Sequence, residues 1–452
     1  MSKKNFFIFS ADHSGLPLAT RLIEEGAQTT LVLLRPEERN GKWEEAKNPE
    51  ERKKNEERVK YLNKNGNGIV EKIWAPEAMK RIGRKDYVIF DQIYGWQYGD
   101  ELYRRGNKVL GGSKVGFTLE TERRNTLAML KKLGMDVPFQ KYFGPKSVRK
   151  GVDFLNNSKD EMLFVFKSDN PKVLTQVAYD TNDELIQKLE AEHKDIDGDG
   201  FLLQQKVEGC EFAVETWYSK GVPIFANVDI EAKKKYNEMS DVQTGCAFGI
   251  TWPIPVDHPL RERVNGPLDK FAVKFIGTGL LDLSVIYDHK EDKMWALEMC
   301  GSRLSYNAFY TTMALLKIPL EGFFADYLDG KYTSDIGQKL FEDRFAASLR
   351  VFNDDKTPDQ RIKIPKSLRR YFWLWDCYKK GGGLFTTGTD LGESLGIITA
   401  TGENPEGAFA EIRKLFHKLN MPTKFARDDF DEEDSPGLPL ARYHAIKRLK
   451  II

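Results

Sequence analysis

The chain has 452 residues and a mass of 51.9 kDa, which predicts about three domains, each able to bury its own core, and excludes a small disulfide scaffold. Hydrophobic residues make up 40% and charged residues 30%, so we expect a folded globular protein. Lys and Arg total 69 against 68 Asp and Glu, which excludes a global field that would draw the chain onto nucleic acid or an acidic membrane.

The four cysteines are far apart and form no CxxC pair, which indicates free thiols in a reducing compartment. The start, MSKKNFFIFSADHSG, has only a four-residue apolar run, and no stretch of about 18 apolar residues occurs. We therefore expect a cytoplasmic protein with neither a membrane span nor a cleaved signal.

Residues 5–34 predict a βαβ unit, because two apolar runs flank a glycine-containing turn and an amphipathic segment. The charged run over 37–60 predicts a solvated helix or insertion. A strand over 87–90, a helix over 100–105 and a short strand over 108–110 follow. This alternation predicts a parallel α/β sheet, which we assign to an N-terminal domain at 1–112.

The pattern changes near residue 111 to a helix over 119–133, strands over 163–166 and 201–203, and a hairpin through 211–226. These predict an α+β domain at 113–340. A smaller α+β domain at 341–430 has strands over 384–385 and 397–401 and a helix that Asn404 caps. The tail, 431–452, is acidic and then basic, which indicates solvated or interface-lining charge.

Several common motifs are missing: GxxxxGK[ST], GxGxxG after the first strand, HExxH and GxSxG. The segment DIDGDG at 195–200 resembles the start of a calcium loop, but its twelfth position, where a Glu is required, is Lys206. The six histidines show no metal spacing, and only His13 lies in a predicted strand-to-helix loop, where parallel sheets bind ligands.

Two segments of the middle region suit nucleotide binding. Lys167 ends the strand LFVFK, where an ammonium group can meet a phosphate, although an ordinary strand-end lysine explains it as well. In FLLQQKVEGCEFAVE, Gln204 and Gln205 leave a buried strand and Glu211 follows Gly209. Such polar groups can bind an adenine edge and ribose hydroxyls, although a plain hairpin explains the same residues.

Two acidic residues lie inside apolar strands. Asp282 in GLLDLSVIYD and Glu298 in KMWALEMCGSR could be antiparallel partners across a turn near 289–292. Buried acids are costly unless they are paired or bind a metal, and Mg²⁺ prefers one or two carboxylates with phosphate oxygens. The pair therefore predicts a magnesium site.

Taken together, these segments resemble the ATP-grasp enzymes, and within them the phosphoribosylamine-glycine ligase family, over nearly the full length. The resembling segments are RRGNKVLGGSKVGFTLETER at 104–123, KKLGMDVP at 131–138, VFKSD at 165–169, QQKVEGCEFAV at 204–214, DVQTGCAFG at 241–249, LEMCGSR at 297–303, GIITATGENPEGAFAEI at 396–412 and FARDDF at 425–430.

The resemblance implies a fold that clamps ATP between two α+β subdomains, with a mobile lobe at about 140–210, and a reaction that activates a carboxylate as an acyl phosphate for attack by an amine. It implies Mg²⁺ or Mn²⁺ as the metal. It also implies roles for these residues: Lys167, Gln204, Gln205, Glu211 and Lys172 in nucleotide binding, Asp282 and Glu298 as metal ligands, Arg123 and Arg303 as catalytic cations, and His13, Ser14, Gly15, Gln92, Thr244 and Gly245 in substrate binding.

The sequence also departs from the family pattern. The mobile glycine-rich loop is replaced by NPKVLTQV at 170–177, which has no glycine, so that Lys172 would have to substitute for backbone contacts to phosphate. A family asparagine that binds metal is Cys300, and Arg303 lies one residue later than expected. FDQ at 90–92 replaces Gly-Pro-Glu, which indicates a different amine acceptor.

We therefore interpret the chain as an ATP-dependent carboxylate-amine ligase that joins an amino acid or small acid to an amine. A nucleotide-like amine stays open, as does retained phosphoribosylamine-glycine ligase activity. The alternative is a catalytically degenerate nucleotide-binding or assembly module. We expect small-molecule partners, no membrane or nucleic-acid partner, and a monomer or homodimer.

Overall fold

The N-terminal region folds around five short strands, four of which are almost entirely buried, while the edge strand Glu71–Trp74 is partly exposed. Its strands are β1 (Asn5–Ser10), β2 (Gln28–Leu33), β3 (Glu71–Trp74), β4 (Tyr87–Phe90) and β5 (Lys108–Leu110). They form one parallel sheet in the order β3-β2-β1-β4-β5, which confirms the predicted sheet. The connection reverses direction between β1 and β4, and ligands of parallel sheets bind at such a switch point.

The first helices include those predicted in the βαβ unit, the charged run and near 100–105, and one at 75–81 that was not predicted. They are α1 (Leu16–Glu24), α2 (Pro49–Lys64), α3 (Ala75–Arg81), α4 (Trp96–Arg104), α5 (Lys114–Thr121) and α6 (Arg123–Lys132). The α2 helix lies in the charged run and exposes most of its side chains, as predicted. The single helix predicted over 119–133 is wrong, because the backbone of Glu122 leaves helical geometry, with φ −101° and ψ 56°.

An antiparallel sheet follows. Its strands are β6 (Gln140–Phe143), β7 (Phe164–Ser168), β8 (Gln176–Val177) and β9 (Phe201–Gln205), in the order β6-β9-β7-β8. The accompanying helices are α7 (Val148–Asn157), α8 (Asp183–Ala191) and α9 (His193–Ile196). Phe164, Phe166, Phe201 and Leu203 pack with residues of α7 and α8 in one apolar core.

The remaining strands form two more antiparallel sheets. They are β10 (Cys210–Ser219), β11 (Val222–Lys234), β12 (Gln243–Ile254), β13 (Gly279–Asp288), β14 (Lys293–Gly301), β15 (Phe345–Asn353), β16 (Arg361–Ile362), β17 (Phe372–Leu374), β18 (Tyr378–Lys380), β19 (Gly383–Phe385), β20 (Ser394–Gly402) and β21 (Lys424–Phe425). The larger sheet has the order β14-β13-β10-β11-β12-β15-β20-β17, with β21 paired to β15, and the smaller has the order β16-β19-β18.

The later helices are α10 (Pro259–Val264), α11 (Asp269–Phe271), α12 (Tyr306–Met313), α13 (Leu320–Leu328), α14 (Ser334–Lys339), α15 (Pro405–Lys418) and α16 (Pro439–Arg448). Asn404 caps α15 as predicted, since its side chain accepts a hydrogen bond from the Gly407 amide at 2.7 Å. In the charged tail, α16 buries Leu440, Tyr443 and Ile446, because these apolar residues recur on one helix face. The basic residues Lys447, Arg448 and Lys450 are exposed, in line with the interpretation as solvated charge, whereas the acidic residues at 431–434 lie outside the described residues.

The computed structural model divides into two units. Unit 1 comprises Met1–Thr121, Phe212–Leu283 and Met299–Ile452, and unit 2 comprises Glu122–Glu211 and Ser284–Glu298, so the boundary passes through β13 and β14. The structure describes residues 3–38, 44–158, 162–168, 173, 175–196, 198–237, 243–353, 357–388, 394–421, 423–430 and 437–452. Within these ranges, every helix falls short of the length and apolarity needed to cross a membrane.

Candidate functional site

In unit 2, Lys167 and Gln204 share one face of the sheet. Antiparallel register pairs Lys167 with Leu202 and Val165 with Gln204, and paired residues point to the same side. The apolar core of this unit uses the alternate residues, so it lies against the opposite face. Gln204 is 2% exposed, and its amide Nε2 has no hydrogen-bond partner among the described residues. A buried donor without a partner is costly unless a ligand accepts from it.

The other predicted nucleotide-binding residues lie on neighbouring positions. Gln205 pairs with Phe164, on the face that holds the core, and its Oε1 accepts a hydrogen bond from the Phe139 amide at 3.3 Å. Glu211 lies at the start of β10, two residues after Gly209. Lys172 lies outside the described residues, so its role stays a prediction.

Gly209 fixes the path of the chain just before Glu211. Its φ is +142°, and a Cβ at this position would lie 2.2 Å from the carbonyl oxygen of Tyr287 on β13. We expect Gly209→Ala to destabilise unit 2 by about 2–3 kcal/mol, since both the backbone strain and the clash must be relieved. Urea unfolding measures this, with Gly198→Ala as the control, because a Cβ there meets nothing within 4 Å. Equal effects of the two substitutions would contradict the assignment.

Arg123 and Glu298 come together in unit 2. The guanidinium Nη2 of Arg123, at the start of α6, lies 4.0 Å from Oε2 of Glu298 on β14, and both side chains are partly exposed. Such an exposed pair contributes little to stability. The pair places a carboxylate and a cation side by side at a partly exposed position of unit 2.

In unit 1, Asp282 on β13 belongs to a group of acids on neighbouring strands. Burial, followed by the charges of Glu215 and then Asp282, raises the pKa of Asp229 well above its usual value. Burial also raises the pKa of Glu215 to about 7, although the indole of Trp217 donates to its Oε1 at 2.6 Å. Asn227, opposite Glu215 in the register, donates to Asp229 at 2.5 Å. This face of the sheet therefore concentrates carboxyl groups around Asp282.

A turn after β14 places Arg303. Ser302 has a left-handed backbone with φ +53°, its amide donates to the Leu280 carbonyl, and its Oγ accepts from the Leu280 amide at 3.1 Å. Arg303 follows this turn and bonds to Glu120 on α5 at 2.8 Å.

Cations also gather around Glu231 on β11. Burial raises the pKa of Glu231, and Lys233, Arg350 and Arg303 oppose that shift by their charge. Thr244 and Gly245, at the start of β12, lie next to this group, since Arg350 donates to the hydroxyl of Thr244 at 2.9 Å. Unit 1 thus holds Lys233 and Arg303 as cations able to bind a carboxylate or a phosphoryl group, whereas both terminal nitrogens of Arg350 bond to protein groups.

Two loops at the carboxyl ends of β1 and β4 meet in a polar network. The hydroxyl of Ser14 bonds to Asp12 at 2.7 Å and to Asp91 at 3.0 Å, and the amide of Gln92 donates to Asp12 at 2.7 Å. A Cβ on Gly15 would lie 2.9 Å from the Asp91 carboxylate, so only glycine fits. Burial, then the Asp12 charge, raises the pKa of Asp91 to about 8.

His13 lies in the first of these loops but is fully buried. Its Nε2 lies 3.0 Å from the Leu62 carbonyl oxygen of α2, and burial lowers its pKa to about 3, so the ring is neutral. The structure thus shows a packing contact for His13, and its predicted substrate role stays a prediction.

Sequence reasoning did not identify several residues of these clusters as site residues. Glu231, Asp229 and Arg350 lie inside apolar strands, and the argument from buried charge that selected Asp282 applies equally to them. Asp12 and Asp91 follow β1 and β4, where the ends of parallel strands place ligand-binding side chains. Both signals were present in the sequence.

No family model and no curated protein matches the chain. Solved structures do match. Phosphoribosylamine-glycine ligase from Thermotoga maritima has 15% identity and a TM-score of 0.67 over 94% of this chain and 99% of its own. The biotin carboxylase domain of Hydrogenobacter thermophilus 2-oxoglutarate carboxylase, solved with MgADP and bicarbonate, has 10% identity and a TM-score of 0.62 over 99% of both chains.

L-amino acid ligase from Bacillus licheniformis has 14% identity and a TM-score of 0.55 over 93% of this chain and 99% of its own. The agreement over nearly the full length of different ligases and carboxylases, together with the mixed parallel and antiparallel sheets, establishes one point about this protein: it has the ATP-grasp fold.

Proposed function

We propose that the protein is an ATP-dependent ligase that joins a carboxylic acid to an amine through an acyl phosphate. The observation that carries this proposal is the shared face of Lys167 and Gln204, because it combines a cation with a buried amide donor that has no partner among the residues that the structure describes. The amide can bind an acceptor nitrogen of adenine and the ammonium a phosphate. Glu211 is then proposed to bind the ribose.

Asp282 and Glu298 are the proposed metal ligands. Both are carboxylates on adjacent strands, which suits Mg²⁺ or Mn²⁺ when phosphate oxygens complete the coordination. Cys300 lies on β14 together with Glu298, but its thiol is a poor ligand for a hard cation. No group of three or more His, Cys, Asp or Glu residues in the described ranges could hold a metal by itself. When bound, the metal would neutralise phosphate charge.

The chain's own cations would assist the transfer. A carboxylate oxygen of the acid attacks the γ-phosphorus of ATP, the bond to ADP breaks, and an acyl phosphate forms. The amine nitrogen then attacks the acyl carbon, phosphate leaves, and the nitrogen releases a proton. Arg123 and Arg303 are proposed to offset the charge on the phosphoryl oxygens.

The substrates are proposed to contact unit 1. Thr244 and Gly245 lie beside the cationic group around Glu231, which suits the acid. Ser14, Gly15 and Gln92 belong to the network of the β1 and β4 loops, which suits the amine. Because Asp12 and Asp91 lie in that network, its chemistry differs from a phosphate-binding loop, which supports an altered amine acceptor.

The test is ADP release with Mg²⁺ and mixtures of amino acids and amines, alongside ATP binding by calorimetry. ADP formation that needs both an acid and an amine supports the ligase. ATP binding without ADP formation in any mixture favours the nucleotide-binding module, which Cys300 and the glycine-free segment at 170–177 also favour. Absence of ATP binding contradicts both.

Gln204→Leu gives a sharper test, because it is expected to stabilise the free protein and to weaken ATP binding. The substitution removes a buried donor that has no partner among the described residues, so the free protein is expected to gain about 1 kcal/mol of stability. The dissociation constant for ATP is expected to rise about tenfold or more, since the adenine contact is lost. Urea unfolding and calorimetry measure these quantities.

Gln176→Leu is the matched control for this substitution. Gln176 lies in the same sheet on β8, and its amide already donates to the Glu184 carbonyl at 3.4 Å. We expect its replacement to leave ATP affinity within about twofold. Unchanged ATP affinity in Gln204→Leu would contradict the adenine assignment.

A further inference from the structure

We propose that Arg350 is a positioning residue: it holds the start of β12, at Thr244 and Gly245, against the start of α12 and so fixes the substrate-binding geometry of unit 1. The effect of Arg350 on substrate binding rests on the proposed function. The hydrogen bonds that Arg350 makes are properties of the fold and do not depend on that function.

Arg350 is held on two sides. It lies on β15 and is 3% exposed. Its Nη1 donates to the hydroxyl of Thr244 at 2.9 Å and also to the Thr244 carbonyl oxygen, while Nη2 donates to Oδ1 of Asn307 on α12 at 3.2 Å. Asn307 in turn donates to Ser348 at 3.1 Å, and the guanidinium lies over the ring of Trp375 at 5.0 Å. One side chain on β15 therefore joins the start of β12 to the start of α12.

Thr244 lies in β12 next to an irregularity in strand pairing. The paired register of β12 and β15 runs from Phe248 to Thr251. On the other side, Phe248 pairs with Ala232 and Gln243 pairs with Lys234, so the register of β11 and β12 shifts across the segment that holds Thr244. Gly245 has φ +80°. The contacts to Arg350 thus add a fixed point at Thr244, inside this irregular segment of β12.

A guanidinium suits this task better than an ammonium. Its planar fork presents donors in two directions at once, and here one nitrogen donates to Thr244 of β12 while the other donates to Asn307 of α12. A lysine provides one point charge and cannot hold both partners. Because both nitrogens bond to protein groups and the side chain is buried, Arg350 acts through Thr244 and not on substrate directly.

The experiment compares Arg350→Lys with Arg261→Lys. Arg261 on α10 is also 3% exposed and also bonds on two sides, to Asp269 at 2.8 Å and to Tyr218 at 3.2 Å, but the residues it joins are not part of the proposed site. Hydrogen exchange is measured at the amides of 244–246. We expect exchange there to become at least about tenfold faster in Arg350→Lys and to stay unchanged in Arg261→Lys.

Kinetics give the second readout. With the amino-acid mixture of the ADP assay as the probe, Arg350→Lys is expected to raise the half-saturating concentration of amino acid about tenfold or more. The kcat and the KM for ATP should stay within about threefold of wild type. Arg350→Ala is expected to show the same loss, and added guanidinium is expected to restore part of the affinity for amino acid.

Unchanged exchange at 244–246, or kinetic losses spread equally over kcat and both substrates, overturns the role of Arg350. If the wild-type protein forms no ADP but exchange is faster in Arg350→Lys, the proposed function is overturned, and with it the role of Arg350 in substrate binding. The two failures are therefore distinguishable.

Discussion

Replacing Glu298 with alanine is expected to abolish magnesium-dependent ADP formation while the protein still folds. Turnover should fall by roughly 10²–10³-fold or more, because the proposed metal would lose one of its carboxylates and the phosphate charge would no longer be offset. Stability should change by less than about 1 kcal/mol, since the pair with Arg123 spans 4.0 Å and is partly exposed. Steady-state ADP release and urea unfolding measure the two effects.

Glu291→Ala is the matched control. Glu291 lies in the turn between β13 and β14, and its carboxylate pairs with Lys293 at 2.5 Å on the surface. Its removal should leave turnover within about twofold. If Glu298→Ala keeps more than about a tenth of wild-type turnover, Glu298 does not bind a metal that the reaction needs. A Glu298→Ala protein that no longer folds would instead show that the carboxylate has a structural role.

The fold could be predicted from the sequence where one periodicity dominates. The βαβ start and the capped helix α15 follow from apolar spacing and end residues, and both are present. The strand β15 was not predicted, because its alanines and Arg350 give no clear strand signal and its partners β12 and β20 are distant in sequence. Tertiary pairing decided the structure there.

The candidate site could be predicted only in part. Lys167 and Gln204 were selected singly, and their shared face follows from a register that no single strand specifies. Gln205 was grouped with Gln204, although successive residues of a strand point to opposite faces and the structure places it with Phe164. The groups around Glu231 and Asp91 join strands that are far apart in the chain, so their composition depends on the folded topology.

The second large effect expected is on stability as a function of pH, and it concerns Glu215. Burial raises the pKa of this carboxyl from 4.5 to about 7, so the folded protein binds its proton more tightly than the unfolded chain does. The contribution of Glu215 to the free energy of unfolding is therefore fully present below about pH 4.5, and it is lost as the pH rises from there to about 7. At about 1.4 kcal/mol per pH unit, the loss approaches about 3 kcal/mol.

Glu215→Gln should remove this dependence, because the amide keeps the shape of the protonated carboxyl and can still accept from Trp217. We expect the free energy of unfolding of the variant, relative to wild type, to rise between pH 4.5 and 7 and then to stay constant. Urea unfolding at several pH values measures this difference, with Glu291→Gln as the exposed control. A difference between variant and wild type that does not change with pH would mean that Glu215 is ionised in the folded state. The acids around Asp282 would then need a bound cation, rather than a proton, to be stable on this face of the sheet.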